Sequence, residues 1–255
     1  MQKITVFLVF IFSIHAHFSF SQNGDSLKRI SHFTGSFGVT SNGISLIPTF
    51  SLNRPAGVLN LSLGKKKFSI EPELRFSLSL KPWSFIFWFR YQAMRSDKFS
   101  LRLGIHPALN FRTEHVSING EVHEQIITRR YFAAEIVPNY YISKNISIGI
   151  YYLYSRGFDK GGVRYSHFIT LNSNFSHINL SHKFYMTFTP QVFYLKQVKN
   201  EGLFATATVG LVKRNFPFSL SAIFNKELRK GIIGARDFIW NTTLTYSFGK
   251  NYITK

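Results

Sequence analysis

Apolar and polar residues alternate strictly along much of the chain. In residues 68–79, FSIEPELRFSLS, every second residue is apolar and the residues between them are Ser, Glu or Arg. Residues 99–112, FSLRLGIHPALNFR, repeat the pattern over fourteen positions. Successive side chains of a β-strand point to opposite faces of its sheet, so a period of two predicts strands.

The same period recurs often enough to predict twelve strands. They are expected at 32–40, 58–63, 68–79, 83–93, 99–112, 131–142, 146–155, 166–176, 184–195, 203–212, 217–225 and 238–248. Ten or fourteen strands stay open as alternatives, because residues 41–57 have room for another strand. Most of these segments exceed the usual globular strand of about five or six residues. A tilted strand that crosses a bilayer needs about 9–11 residues.

One face of the predicted strands is apolar and aromatic, and the other carries Ser, Thr, Asn, Gly and a few ionised side chains. A soluble sandwich would show the same alternation. Strand length and an aromatic content of 17% favour a transmembrane barrel, whose apolar face meets lipid. The pattern therefore predicts an all-β fold, an antiparallel up-and-down barrel.

Residues 81–92, KPWSFIFWFRYQ, place an arginine within an aromatic run. The period of two separates this run into two faces. The residues expected to face lipid are Trp83, Phe85, Phe87, Phe89 and Tyr91. Trp83 and Tyr91 lie near the two ends of the strand, where amphipathic rings favour the membrane interface. Arg90 is then expected to face the lumen.

The lengths of the connections agree with this assignment. If both termini are periplasmic, the connections after even-numbered strands should be short turns and those after odd-numbered strands longer outer loops. The connections after even-numbered strands are residues 64–67, 95–98, 143–145, 178–183 and 213–216. The longer ones are residues 41–57, 113–130, 156–165, 197–202 and 226–237, and only 79–82 breaks the rule.

Residues 1–21 have the features of a secretory signal peptide. Lys3 precedes the apolar run ITVFLVFIFSI, which is short for a membrane span, and small residues follow it. Cleavage after Ser21 would leave Gln22 at the start of a barrel domain of residues 22–255. The chain has no cysteine, so neither a disulfide framework nor a lipid-anchored cysteine is expected.

The net charge of +19 bears on the partners of an exported protein. Such a protein first meets anionic lipid headgroups and lipopolysaccharide phosphates. The charge therefore predicts contact with outer-membrane lipid and lipopolysaccharide rather than with nucleic acid.

Together, these features resemble the outer-membrane β-barrels of Gram-negative bacteria, and the leader ending in SQ is similar to those of flavobacterium-type organisms. The last strand, FIWNTTLTYSF, looks like the aromatic-ending signal that the barrel-assembly machinery recognises in that class. Its outward residues are Phe238, Trp240, Leu244, Tyr246 and Phe248. The chain departs from the class by continuing past Phe248 with GKNYITK. The resemblance implies a location in the cell outer membrane.

Ionised residues on the lumen face of the third to fifth strands form the candidate site. They are Glu71, Glu73, Arg75, Arg90, Arg102 and His106. Antiparallel pairing places Glu71 or Glu73 near Arg90, and Arg90 near Arg102. In a narrow pore this basic wall would attract small anionic solutes. The same residues can instead pair with one another and fill the interior of a structural or surface barrel.

Two other functions stay open: an outer-membrane lipid hydrolase, and an accessory barrel of a secretion or surface complex. His106 shares a predicted strand with Ser100 and Asn110, but no Ser–His motif of the outer-membrane phospholipase or lipid A deacylase kind is recognisable. The sequence therefore favours a barrel without a catalytic centre, and it indicates no cofactor.

The segment 113–130 is predicted to be an outer loop with acidic and histidine residues. These residues are Glu114, His115, Glu121, His123 and Glu124. Their spacing fits no fixed metal site, so no metal is expected. Asn119 and Gly120 predict a small hairpin within the loop.

Overall fold

Twelve antiparallel strands close into a barrel in the computed structural model, which describes residues 30–118 and 121–253. The strands are β1 (Ile30–Thr40), β2 (Ala56–Lys65), β3 (Phe68–Ser77), β4 (Pro82–Arg95), β5 (Phe99–Ile118), β6 (Glu121–Tyr141), β7 (Ile146–Gly157), β8 (Tyr165–Asn179), β9 (Phe184–Gln197), β10 (Asn200–Lys213), β11 (Phe218–Arg229) and β12 (Phe238–Ile253). The prediction of twelve strands is confirmed. The predicted signal peptide, its cleavage site and the Asn119–Gly120 pair lie outside the described residues.

Each strand pairs with its neighbours in the sequence, and β1 pairs with β12 to close the barrel. The register of this last pair runs from Ile30 opposite Ile253 to Thr40 opposite Thr243. Residues 249–253 therefore continue β12 and pair with residues 30–34 of β1. Closure leaves no sheet edge with unpaired backbone groups, which is a requirement for a sheet that crosses lipid.

The outer face of the barrel is apolar and exposed. On β12 the side chains of Phe238, Trp240, Leu244, Tyr246 and Phe248 all point outward, as predicted. The outward face of β3 and β4 carries Phe, Ile, Leu and Tyr in the same way. Among the described residues, no helix is long and apolar enough to cross a membrane.

The end of the barrel that holds the start of β1, the end of β12 and the connections after even-numbered strands is called the turn end, and the opposite end the loop end. The turns of the turn end are strongly basic. Their exposed or half-buried Lys and Arg residues are Lys65, Lys66, Lys67, Arg95, Lys98, Lys144, Lys183, Lys213 and Arg214, beside Asp97. Aromatic pairs such as Phe68–Tyr91 and Phe218–Tyr246 lie on the outer face next to these turns. Aromatic rings next to basic residues mark the height of lipid headgroups.

The loop end differs from the prediction in two places. Residues 113–130 were expected to form an outer loop, but β5 and β6 extend as a paired ladder up to Ile118 opposite Glu121. The sequence of this segment also alternates, and Val116, Val122 and Ile126 are residue types that favour β-strands. The expected loop 197–202 is also wrong, because only residues 198–199 separate β9 from β10.

The loop between β7 and β8, residues 158–164, is held to the outside of β6 by one ion pair. Arg130 donates from Nη2 to Asp159 Oδ1 at 2.7 Å, and from its backbone N–H to Oδ2 at 2.6 Å. These two contacts lower the pKa of Asp159 below its ordinary value. Because the charged carboxylate is the form that binds, the contact is complete above the ordinary pKa and is lost as pH falls through the lowered one.

In Arg130→Gln, Asp159 should therefore titrate closer to its ordinary pKa than in the wild type, with part of the shift kept by the backbone N–H. Carboxyl chemical shifts recorded by NMR against pH would measure this. Arg156→Gln is the matched control, since the Arg156 side chain is exposed and makes no bond to Asp159. An unchanged Asp159 titration in Arg130→Gln would contradict the ion pair.

Candidate functional site

Six ionised side chains lie together on the lumen face of β3 to β6, and we call this set the charge ladder. Its members are Glu71, Glu73, Arg75, Arg90, Arg102 and Glu135. The first five are among the six residues that the sequence singled out, and the sixth, His106, stacks on Trp88 instead. On β3, Glu73 and Arg75 form an ion pair along one strand.

Arg90 lies at the centre of the charge ladder, between Glu71 on β3 and Glu135 on β6. Its Nη1 donates to Glu71, and its Nε donates to Glu135 Oε1 at 2.8 Å. The intervening strand β5 carries Gly104 opposite both Arg90 and Glu135. A Cβ on Gly104 would lie 2.8 Å from Glu135 Cγ. Glycine at this position leaves the space through which the two side chains meet across a strand.

Glu135 was missed by the sequence reasoning, although a signal for it was present. The predicted strand 131–142 places Glu135 on the same inward face as Val137. The candidate site predicted from the sequence, however, included only residues of the third to fifth strands. The Glu135 side chain is completely buried, and its Oε1 lies 3.2 Å from Arg102 Nε as well as bonding Arg90. The charge ladder therefore holds three arginines and three carboxylates, and its formal charges cancel.

The Trp88 ring lies between Arg90 and His106 on the lumen wall. The Arg90 guanidinium is 4.2 Å from the ring centroid, and the His106 ring stacks on the other side at 4.0 Å. A guanidinium over an indole face is attracted by the ring quadrupole, and the contact fixes its orientation. Trp88 thus helps to hold Arg90 against the wall of the lumen.

The prediction that Trp83 faces lipid is wrong. The register between β3 and β4 shifts beside Arg75, which pairs with Ser84, while Phe76 pairs with Pro82. Trp83 is the extra residue in this bulge, and a bulge interrupts the alternation of faces. Its ring is 1% exposed inside the barrel, where Nε1 donates to the backbone oxygen of Phe50 at 2.8 Å.

Arg102 is the most exposed guanidinium of the charge ladder. Its side chain is 38% exposed, against 20% for Arg75 and 17% for Arg90. Arg102 Nε lies 3.2 Å from Glu135 Oε1, and the two terminal nitrogens of Arg102 form no hydrogen bond with the described residues. Arg102 therefore presents free N–H donors to the lumen.

His106 is buried against Trp88, and its Nδ1 has no hydrogen-bond partner among the described residues. Ser100 bonds Tyr141 instead, at 3.0 Å between hydroxyls. Asn110 donates to the backbone oxygen of Trp83 at 3.3 Å. Neither neighbour proposed from the sequence is bonded to His106, so they form no nucleophile–base pair with it.

The acidic residues and histidines of the β5–β6 hairpin are engaged separately. Glu114 accepts from Arg129 at 2.5 Å, while Glu124 pairs with Lys81. Within residues 30–118 and 121–253, no three metal-binding side chains converge. The hairpin is therefore held by ion pairs between its own strands and with the β3–β4 connection.

Residues 41–55, which we call the inward loop, fold into the loop end of the barrel and form no further strand. Its middle, Pro48–Phe50, is one 3₁₀ turn. Gln197 of β9 donates to Thr49 Oγ1 at 3.0 Å, and Arg112 of β5 donates to the backbone oxygen of Ser51 at 2.9 Å. Because β5 and β9 lie on different sides of the barrel, these bonds hold the inward loop across the lumen.

An apolar cluster lies beneath the inward loop, mainly on the lumen face of β7 to β10. Its buried members are Ile47, Trp88, Ala133, Leu153, Phe168, Phe193, Leu195, Phe204 and Ile232. The prediction of a polar lumen face is therefore wrong at the loop end of these strands. Ile47 of the inward loop and Ile232 of the last loop supply apolar partners, so the inward aromatic rings are shielded from water.

The two ends of the lumen differ in how well they are filled. Inward residues at the loop end, such as Ser166 and Thr206, are buried, whereas Asn174 and Thr189 towards the turn end are only half-buried. A cavity of about 980 Å³ extends beneath the inward loop and is lined by residues of many strands. A second cavity of about 640 Å³ lies along β1 to β4, beside Glu71 and Arg90. The lumen is thus more densely filled at the loop end, where the inward loop crosses it, than at the turn end.

No protein-family model and no curated protein sequence matches the chain. Solved structures do match it. The KdgM porin is 11% identical, with a TM-score of 0.50, over 85% of this chain and 99% of that chain. The KdgM porin in complex with disordered oligogalacturonate is 12% identical, with a TM-score of 0.51 and the same coverage. A loop L8 deletion mutant of OmpT, an outer membrane protein of Vibrio cholerae, is 7% identical, with a TM-score of 0.40, over 87% and 99%.

At these identities the likeness to the KdgM porin shows the fold, and that fold is an outer-membrane β-barrel. The closed barrel, its lipid-facing aromatic surface and this likeness agree with the prediction from the sequence. The protein is an outer-membrane β-barrel, and its surroundings are outer-membrane lipid and lipopolysaccharide.

Proposed function

We propose that the protein is a narrow pore for small solutes, with a modest preference for anions. The observation that carries the proposal is the cavity of about 980 Å³ within a closed barrel, lined by Glu73, Arg75 and Arg102 of the charge ladder. A water-accessible space beside fixed charges is what ion selection in a pore requires. The KdgM porin, whose fold this chain shares, shows that such a barrel is compatible with a pore.

The preference for anions follows from which charges a solute reaches. The formal charges of the charge ladder cancel, so its net field is weak. Arg102, however, is 38% exposed, whereas the side chain of Glu135 is completely buried behind it. A solute in the lumen meets the guanidinium before the carboxylate, and charges close to it dominate the potential it experiences. The permeability to anions should therefore exceed the permeability to cations by only a small factor.

The inward loop accounts for the narrowness of the pore. It crosses the loop end and packs against the apolar cluster, and a solute has to pass beside it. In barrels of this class the short turns are periplasmic and the long loops extracellular. We therefore place the inward loop at the extracellular mouth and the basic turns in the periplasm.

The assignment of β12 to the barrel-assembly machinery is part of the proposal. Trp240, Tyr246 and Phe248 are exposed on the outer face of the last strand. An outward aromatic series there is the feature that the resemblance to outer-membrane barrels associates with assembly. The signal peptide at residues 1–21 and the barrel domain at 22–255 stay predictions.

Planar-bilayer recordings of the refolded protein test the function. We expect discrete channels of low conductance, with a permeability ratio of chloride to potassium above one. Arg102→Gln should lower this ratio by roughly two-fold, because it removes the most accessible cation while Glu135 keeps Arg90. The reversal potential in a KCl gradient measures the ratio.

Lys144→Gln is the matched control for these recordings, since Lys144 lies exposed in a turn outside the lumen. Folded protein that gives no channels would contradict the pore. Channels whose permeability ratio is the same in the wild type and in Arg102→Gln would contradict the assignment of anion preference to the charge ladder.

A further inference from the structure

The cavity of about 980 Å³ has two chemically different walls. One wall belongs to β3 to β6 and carries the charge ladder. The other is an apolar patch, formed by Leu153 and Phe168 of β7 and β8 with the inward loop, within a lining that is otherwise largely polar. A ligand that satisfies both walls must itself have a charged part and an apolar part.

The charged wall offers one well-defined binding group, the guanidinium of Arg102. Arg102 lines the cavity, and its terminal nitrogens form no hydrogen bond with the described residues. The planar fork of a guanidinium binds a carboxylate through two parallel hydrogen bonds. Arg75 and Arg90 are less suited to this role, because Glu73 and Glu71 already accept from them.

The apolar wall lies at the same height as the charge ladder. The register places Glu135 of the ladder opposite Leu153, and Leu153 opposite Phe168. Both apolar residues line the cavity, as do Ile47 and Phe50 of the inward loop. A ring or branched alkyl group held near Arg102 therefore finds apolar side chains on the neighbouring strands β7 and β8.

We infer that this cavity binds a small amphipathic anion, in which a carboxylate or similar group is attached to an aromatic or branched apolar group. The inference rests on the proposed pore in so far as this molecule would be its preferred solute. A sugar acid would place hydroxyl groups against Leu153 and Phe168, where their hydrogen bonds to water are lost. A neutral apolar molecule would leave the donors of Arg102 unpaired.

The chain contains its own reporters for this site. It has three tryptophans, of which Trp83 and Trp88 line the cavity and Trp240 lies on the lipid face. In Trp240→Phe, fluorescence therefore comes from the lumen alone. Nitroaromatic compounds quench tryptophan fluorescence, so 4-nitrobenzoate serves as the anionic probe and 4-nitrobenzyl alcohol as its neutral counterpart with the same ring.

In refolded Trp240→Phe protein we expect saturable quenching by 4-nitrobenzoate at an apparent Kd about ten-fold or more below that of the alcohol, because only the anion forms charge-assisted hydrogen bonds. Adding Arg102→Gln should bring the two values together. Adding Arg95→Gln, which removes an exposed guanidinium of the turn end, should leave the preference intact. Heat-modifiable migration in gels confirms that each variant is folded.

Equal affinity for the two probes in Trp240→Phe protein that keeps Arg102 would overturn the inference. So would an undiminished preference for 4-nitrobenzoate after Arg102→Gln. Displacement of 4-nitrobenzoate by galacturonate at equal concentration would also overturn it. The titration requires no ion flow, so it separates the site from the pore. Saturation without channels contradicts the proposed function alone. Channels without saturation contradict the amphipathic-anion site alone.

Discussion

Replacing residues 44–53 by two glycines should raise the single-channel conductance several-fold. This change removes the part of the inward loop that crosses the lumen, including Ile47 and Phe50. The neck of the loop is already closed by two residues that the change keeps, since the Gly43 N–H donates to the backbone oxygen of Arg54 at 2.8 Å. The two strands that flank the loop can therefore stay in place. Planar-bilayer recording measures the result, because conductance rises with the width of the narrowest section.

The deletion also removes the cover of the apolar cluster, so a lower stability is expected alongside the higher conductance. Arg112→Gln provides a milder variant of the full-length chain. It removes the bonds that hold the inward loop at Thr49 and Ser51, and should give more frequent openings to a larger conductance. Arg130→Gln is the matched control, because Arg130 also holds a loop residue, Asp159, but its side chain is exposed on the outside of the barrel. A folded deletion protein with wild-type conductance would show that the inward loop does not constrict the path.

The outer face of the barrel was predictable from the sequence because one physical rule governs it. Lipid requires an apolar side chain at every second position. The segments 68–78 and 238–248 follow this rule, with Thr242 as their one exception. The inward orientation of Arg90 follows from the same rule. Strand number and closure are then consequences of how many such segments the chain contains.

The lumen was less predictable, because the orientation of its side chains depends on contacts with residues that are distant in sequence. Phe193 and Leu195 face inward only because the inward loop, some 150 residues earlier in the chain, brings Ile47 over them. Trp83 faces inward because a bulge shifts the register by one residue, and the backbone oxygen of Phe50 accepts its N–H. Neither the loop path nor the bulge has a signal in the local alternation.

The charge ladder was predictable from the sequence only in part. The parity of β4 and β5 was enough to bring Arg90 and Arg102 to one wall. Their shared carboxylate, Glu135, required the register of a third strand and the recognition that Gly104 leaves a gap between them. Glu135 changes the electrostatics of the site, since it converts an expected basic wall into a neutral set in which Arg102 is the most exposed member and Glu135 is buried.

Glu135→Gln should make the barrel less stable and at the same time more selective for anions. The substitution keeps the size of the side chain and removes its charge. Arg90 then has only Glu71 as an acidic partner, and Arg102 has none within the charge ladder. Removal of one partner from a buried ion pair costs about 3 kcal/mol of unfolding free energy. The ladder also becomes positive by one charge, which favours anions in the lumen.

The two effects can be separated with a second substitution. Glu135→Gln combined with Arg102→Gln restores equal numbers of arginines and carboxylates, so the permeability ratio should return towards the wild-type value and part of the stability should be regained. Such non-additivity identifies a direct interaction between the two positions. Denaturant unfolding in lipid vesicles, followed by tryptophan fluorescence, gives the stabilities, and reversal potentials give the selectivities. Glu124→Gln is the matched control, since Glu124 lies on the same strand in an exposed ion pair with Lys81 and should change little. Additive losses of stability in the double variant would contradict a direct interaction between Glu135 and Arg102, and an unchanged permeability ratio in Glu135→Gln would contradict its effect on selectivity.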